Sequence, residues 1–235
     1  MFTQLFARRL ANIPRPSIAE SMKDTLRRQY KDHKIRSYSA ARQLMYNEAD
    51  CSNDNINLLY GGNTYPWKCR GSSMPPVEYV NAEHVVPQSS FNKDQPMVSD
   101  LHHLFSAPKP LNELRSNYPF SEISYDKCFK FCKGQDCTTS RPSNPDEYSC
   151  LGMNPKVWMP RKADRGVVAR AVLYFYTMYD YPISVGEVST FLKWNSLYPP
   201  NAREISRNNI LNATQGNRNP YIDHPEYANQ VFKSA

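Results

Sequence analysis

No apolar run in this 235-residue chain is long enough to cross a bilayer. The most apolar stretch, Val167 to Tyr181, is interrupted by Arg170 and Asp180. The N-terminus also lacks the long apolar region of an intact secretory signal. Met1 to Leu10 instead carries Arg8 and Arg9, and no acidic residue precedes Glu20, so it reads as a mitochondrial presequence or the remnant of a processed signal. Internal repeats and low-complexity runs are missing. With 40% hydrophobic and 22% charged residues, the composition excludes wholesale disorder and fibrous architecture. Two metal signatures are absent as well: the C-x2-C hook of thiolate zinc sites and the short His-x3-His helix spacing of zinc proteases.

What the chain does carry is positive charge. Lys plus Arg number 29 against 22 for Asp plus Glu, a net charge of +7. That excess favours polyanionic partners, nucleic acid before anionic membrane. Six cysteines are present, an even number. Cys128, Cys132, Cys137 and Cys150 crowd one segment, where two local disulfides compete with a zinc site or free thiols. Cys51 and Cys69 flank a Gly-Gly turn and suit a third bridge. Bridged cysteines imply an oxidising, secretory compartment.

Residues 1–16 read as a tail and 17–235 as one domain. Ser17-x-x-Glu20 is a capping box, and Ile18, Met22, Leu26 and Tyr30 form one apolar helical stripe. A second helix is predicted after Ser37 or Ser39. Tyr79–Val86 and Asp100–Phe105 have strand character, Leu111–Arg115 is helix-like, and Gly166–Tyr179 reads as the main buried helix. Strands in the middle with helices on both sides predict an α+β class.

Of five histidines, His84, His102 and His103 fall in one window with Glu83, Asp94 and Asp100. Neighbours on a strand point to opposite faces, so Glu83 and His84 can share a site only where the strand ends, as Pro87 suggests. There the carboxylate could hold a hard cation and the imidazole could take a proton from water. A surface glutamate beside a hydrogen-bonded histidine is the plainer reading of that pair alone. The following elements shift the balance. Asn112 offers a neutral oxygen ligand to Mg²⁺ or Ca²⁺, and Arg115 lies on the same helix face within reach of a phosphate. His102 and His103 are expected to be structural, with one directed inward.

Glu83-His84-Val85-Val86-Pro87, Ser99-Asp100-Leu101-His102-His103-Leu104 and Asn112-x-x-Arg115-x-Asn117-Tyr118-Pro119-Phe120 together resemble the endonuclease I family. Glu204, Arg207-Asn208 and Gln215 to Asp223 are similar to that family's C-terminal signature, and the segment Leu26–Tyr38 with His33 to its opening. The resemblance spans about Ser17 to Phe232. It implies a secreted or periplasmic non-specific nuclease with a ββα-metal motif, His84 as general base and Glu83 and Asn112 as ligands of one Mg²⁺, with Mn²⁺ or Ca²⁺ as substitutes. It further implies 5′-phosphate products; the expected substrate is DNA, with RNA as an alternative, and the chain is expected to be a monomer without membrane insertion. Relatives often place an Arg between the two strands to meet the scissile phosphate. Here the interval holds only Lys93, so Lys93, Arg115 and Arg218 are the candidates for substrate contact. Two readings compete with this one: a zinc hydrolase built on His84, His102 and Asp100, and a non-catalytic nucleic-acid-binding protein on the same scaffold.

Overall fold

A computed structural model of the chain describes residues 20–232. The tail at 1–16 and the predicted cap at Ser17 lie outside them. Ser21 caps the first helix, α1 (Met22–Tyr30), by accepting a hydrogen bond from the Asp24 amide. Ser37 does the same for α2 (Tyr38–Leu44), whose last turn widens into a π-helical turn at Met45–Ala49. Short strands β1 (Cys51–Ser52), β2 (Asn55–Asn57) and β3 (Thr64–Pro66) then form an antiparallel sheet, closed by a Cys51–Cys69 disulfide.

The next two strands, β4 (Val80–His84) and β5 (Leu104–Pro108), pair antiparallel with Glu83 opposite Phe105 and His84 opposite Leu104. β5 passes directly into α3 (Lys109–Arg115). Pro110 sits in the first turn of that helix, where its missing N–H costs nothing. Strand, strand, helix is thus continuous from Val80 to Arg115, apart from the connection between the strands.

That connection departs from the expected pattern. Asp100–His103 is a turn, not the start of a strand, and β5 begins only at Leu104. The Asp100 carboxylate accepts the His102 amide, a local bond that competes with extended pairing. It also accepts the Tyr174 and Tyr179 hydroxyls and the Gln215 amide, so it is fixed on all sides in the interior. Polar and apolar residues alternate here without a strand because the whole turn is buried. Both histidines are therefore inside: His102 Nε2 bonds the Asn217 carbonyl and His103 Nε2 the Met97 carbonyl.

A four-stranded antiparallel sheet follows, from β6 (Cys128–Lys133), β7 (Asp136–Thr138), β8 (Ser149–Met153) and β9 (Lys156–Met159), in the order β7-β6-β8-β9. Its cysteines form two disulfides, Cys132–Cys137 across β6 and β7 and Cys128–Cys150 across β6 and β8. The zinc and free-thiol readings of this segment fall with them, because all six sulfurs are bridged.

Helix α4 (Arg165–Met178) runs through the main core and is buried along nearly its whole length. Gly166 permits its close approach to the end of α5 (Val188–Leu197), since a Cβ there would strike the Tyr198 carbonyl. Beyond Arg165 at its start, Arg170 is the one charged residue in the helix. Its guanidinium forms a two-pronged bond at 2.6 Å to Glu204 of α6 (Ala202–Thr214). Two short helices, α7 (Pro220–Asp223) and α8 (Tyr227–Phe232), complete the described chain. The result is one mixed α+β domain, with no helix among the described residues long and apolar enough to cross a membrane.

Candidate active site

Along β4 and the start of α3 lies an open, polar cleft of about 270 Å³, lined by Tyr38, Asn81, Glu83, His84, Gln88 and Asn112. Because β4 ends at His84, Glu83 and His84 both line it although they alternate on the strand.

His84 is held in a defined tautomer. Its Nε2 lies 2.9 Å from the Val98 carbonyl, which can only accept, so Nε2 carries the proton. Nδ1 therefore keeps its lone pair, and in this state accepts a bond from the Gln88 amide at 3.1 Å. The ring packs among Tyr38, Phe91 and His103. Burial, aided by His103 and Arg115, pulls its pKa down to about 3 against the opposing Val98 bond. The imidazole is neutral, and so an acceptor, across the whole neutral range.

Glu83 is 2% exposed, and burial lifts its pKa to about 6 despite the Arg115 charge and the Tyr60 hydrogen bond. Oε1 accepts a hydrogen bond from the Tyr60 hydroxyl at 2.8 Å and lies 3.3 Å from Arg115 Nη1 in an ion pair. Its other oxygen takes no protein hydrogen bond among the described residues. Asn112 donates its amide nitrogen to the Ala82 carbonyl at 3.3 Å, which leaves its Oδ1 free among the same residues. One anionic and one neutral oxygen at a polar cleft suit a hard divalent cation, which takes few protein ligands.

Of the candidate substrate cations, only Arg115 lines the cleft. Arg115 is 1% exposed, and its guanidinium is spent on Glu83, on the carbonyls of His84, Val85 and Ser116, and on the face of Phe120. It braces the metal-ligand candidate, and only its Nε lacks a protein partner among the described residues. Arg218 is clamped by Asp223 at 2.6 and 2.7 Å and by Asn209, and does not line the cleft. Lys93 is exposed in a turn at φ +61° and does not line it either. The zinc constellation is not assembled, since Asp100 and His102 are satisfied in the core and no three acidic, histidine or cysteine groups among the described residues could hold a metal.

Two contributors were not found in the sequence. Tyr60 is fully buried at φ +73°, with its amide on Asp164 and its carbonyl on Ser149, so its hydroxyl points fixedly at Glu83. Gln88, four residues beyond His84, covers Nδ1.

The buried histidines also predict an acid-sensitive fold. Burial holds His84 at about 3 and His102 at about 4, and lowers His103 as well. As pH falls below their usual value near 6.5, the unfolded chain binds protons that the folded chain cannot, and stability is lost. Glu83, raised to about 6, opposes this over a narrower span. We expect a net loss on the order of 2–3 kcal/mol between pH 7 and pH 5. Calorimetric melting across that range checks it, and a Tm that stayed level or rose on acidification would contradict it.

A two-stranded ribbon feeding a helix, with a Glu-His pair on the ribbon and an Asn on the helix, is the strand-strand-helix layout that the family resemblance implies. The chain belongs to the endonuclease I family, matched over residues 18–226. It is similar to the extracellular ribonuclease of Bacillus subtilis (strain 168), at 29% identity over 91% of this chain and 74% of the relative. It is also similar to an extracellular deoxyribonuclease of Aeromonas hydrophila, at 24% identity over 92% of this chain and 93% of the relative. A periplasmic deoxyribonuclease of the same organism matches at 29% over 57% of this chain and 50% of the relative. The protein is a hydrolytic nuclease.

Proposed function

We propose that this nuclease is a Mg²⁺-dependent endonuclease that hydrolyses phosphodiester bonds of DNA and RNA without sequence preference, leaving 5′-phosphates. The observation that carries the reading is the His84 Nδ1 lone pair, held toward a cleft where Glu83 and Asn112 leave oxygens free. Glu83 and Asn112 would hold the ion, which when bound supplies positive charge to the phosphate oxygens. Mn²⁺ and Ca²⁺ are the alternative occupants of such an oxygen site. His84 accepts the proton of the attacking water as its oxygen bonds to phosphorus. The P–O3′ bond then breaks, leaving phosphate on one fragment and a 3′-hydroxyl on the other. Tyr60 and Arg115 orient Glu83, and Val98 orients His84. Deoxyribonucleases and a ribonuclease among the relatives support both substrates.

Three disulfides support work outside the reducing cytoplasm, as do relatives named extracellular or periplasmic. The relatives lend no support to the mitochondrial destination. We take the working form to be a monomer. Nicking of supercoiled plasmid and cleavage of RNA should both stop in EDTA and return with Mg²⁺ but not with Zn²⁺. Undiminished cutting in EDTA, or a sharp consensus among cleavage sites, would overturn the proposal.

A further inference from the structure

Between α1 and α2 the chain runs without helix or strand from Lys31 to Ser37 and then enters the cleft wall at Tyr38. Three contacts pin this segment: the Lys34 amide on the Gln215 carbonyl, Arg36 on the Thr214 carbonyl, and Gln95 on the Arg36 carbonyl. It carries Lys31, Lys34 and Arg36, followed by Arg42 against the Tyr38 ring, and the only acid in the stretch is Asp32. None of those four cations joins an ion pair among the described residues, whereas α1's Lys23, Arg27 and Arg28 all do. Four cations without ion pairs thus follow closely along one strip, fixed by hydrogen bonds, that begins at the cleft.

The far end of the strip opens into a basin of about 550 Å³, whose wall includes Lys31, His33, Ile35, Pro96, Met97 and Tyr181. Ile35 is 61% exposed and Tyr181 37%, so apolar and aromatic faces lie open beside the cations. The nitrogens Arg27 Nε and His33 Nε2 are buried there without a protein partner among the described residues. Pro96 and Met97 directly precede Val98, whose carbonyl orients His84, so basin and cleft share one turn.

We propose that the strip Lys31–Tyr38 and this basin form the track for a single strand of nucleic acid leaving the catalytic cleft. Its phosphates lie along Lys31, Lys34 and Arg36, and a base stacks in the basin against Tyr181. This rests on the cleft at His84 being the place of cutting. Length fits the assignment. From Lys31 to Tyr38 the chain spans at most about 25 Å, room for several nucleotides of an unstacked strand. A single strand is favoured over a duplex because the open aromatic faces can receive bases only when these are unstacked from a partner strand.

The test measures binding in EDTA, where no metal supports turnover, for single-stranded DNA of 4 and 16 nucleotides over a salt series. Lys31→Ala/Lys34→Ala is compared with wild type and with Lys127→Ala/Lys156→Ala, which removes the same charge from β9 and the turn just before β6. Each phosphate contact on a single strand contributes about 0.7 to the slope of log affinity against log salt. For the 16-mer the slope should flatten by about 1.4 in Lys31→Ala/Lys34→Ala, far more than for the 4-mer, and hardly at all in Lys127→Ala/Lys156→Ala. Tyr181→Ala should weaken the 16-mer about fivefold or more, with little effect on the 4-mer. Equal 16-mer slopes in wild type and Lys31→Ala/Lys34→Ala, or an equal loss in Lys127→Ala/Lys156→Ala, would overturn the track. A wild type that shows the length-dependent binding but cuts nothing with Mg²⁺ would instead fault the reading of the cleft.

Discussion

Replacing His84 by alanine is expected to slow hydrolysis by about 10²–10⁴-fold, the usual cost of losing a general base, with nucleic-acid affinity and Mg²⁺ requirement close to wild type. The separation follows from the geometry. His84 reaches the cleft through Nδ1 alone, because Nε2 is committed to Val98, and Nδ1 meets only the amide of Gln88. The oxygens suited to a cation belong to other residues. Glu83→Ala and Asn112→Ala should accordingly raise the Mg²⁺ concentration needed for half-maximal rate. The Glu83 change should be the larger, since it removes the only charged ligand. Added imidazole should restore part of the His84→Ala rate by entering the vacated space. A metal titration under single-turnover conditions decides the matter. If His84→Ala abolished Mg²⁺ binding while Glu83→Ala left the requirement untouched, the histidine would be a ligand and the roles would have to be exchanged.

How far this site could be read from sequence depends on how local each relation is. Glu83, His84 and Asn112 sit on consecutive elements whose order is visible in the residue pattern, and the structure brings all three to one cleft. Arg115 was visible but its task was not. A cation one turn beyond Asn112 suits a phosphate or a buried carboxylate equally well, and only the structure shows its contact to Glu83. Tyr60 lies 23 positions before Glu83 in another loop. The one signal near it is the Gly61-Gly62 turn, which announces unusual backbone but not a hydroxyl aimed at a carboxylate. The turn at Asp100–His103 departs from its strand-like pattern for a related reason. Alternation marks a strand only when one face is wet, and here buried partners from α4 and the segment after α6 surround both sides. The disulfides were easier, because each pair is close in sequence and sits across adjacent strands or a short loop.

Arg207→Met should destabilise the fold by about 3–5 kcal/mol, the range for removing one partner of a buried ion pair. Arg207 belongs to the C-terminal motif that carried the family resemblance, yet it lies far from chemistry. Its Nε bonds Asp50 at 2.7 Å, its two terminal nitrogens bond the carbonyls of Leu101 and Leu104 at 2.7 Å each, and its plane covers Phe105 at 4.1 Å. The other Asp50 oxygen accepts the Ser106 amide at 2.7 Å. One buried cation thus fixes the entry and the first residues of β5, the strand that leads into α3 and Asn112. Methionine fills much of the same volume but leaves Asp50 charged in the interior and two carbonyls without donors, so the loss is electrostatic more than steric. Adding Asp50→Asn removes the stranded charge and should recover part of the stability, a coupling that a double-mutant cycle would read directly. For a chain of this size the single change corresponds to a fall in Tm of roughly 6–20 °C. Because the cleft residues themselves are untouched, activity assayed well below that Tm should remain near wild type. An Arg207→Met protein within about 1 kcal/mol of wild type by urea unfolding, or one that melts normally but cannot cut, would show that this arginine serves the reaction and not the strand.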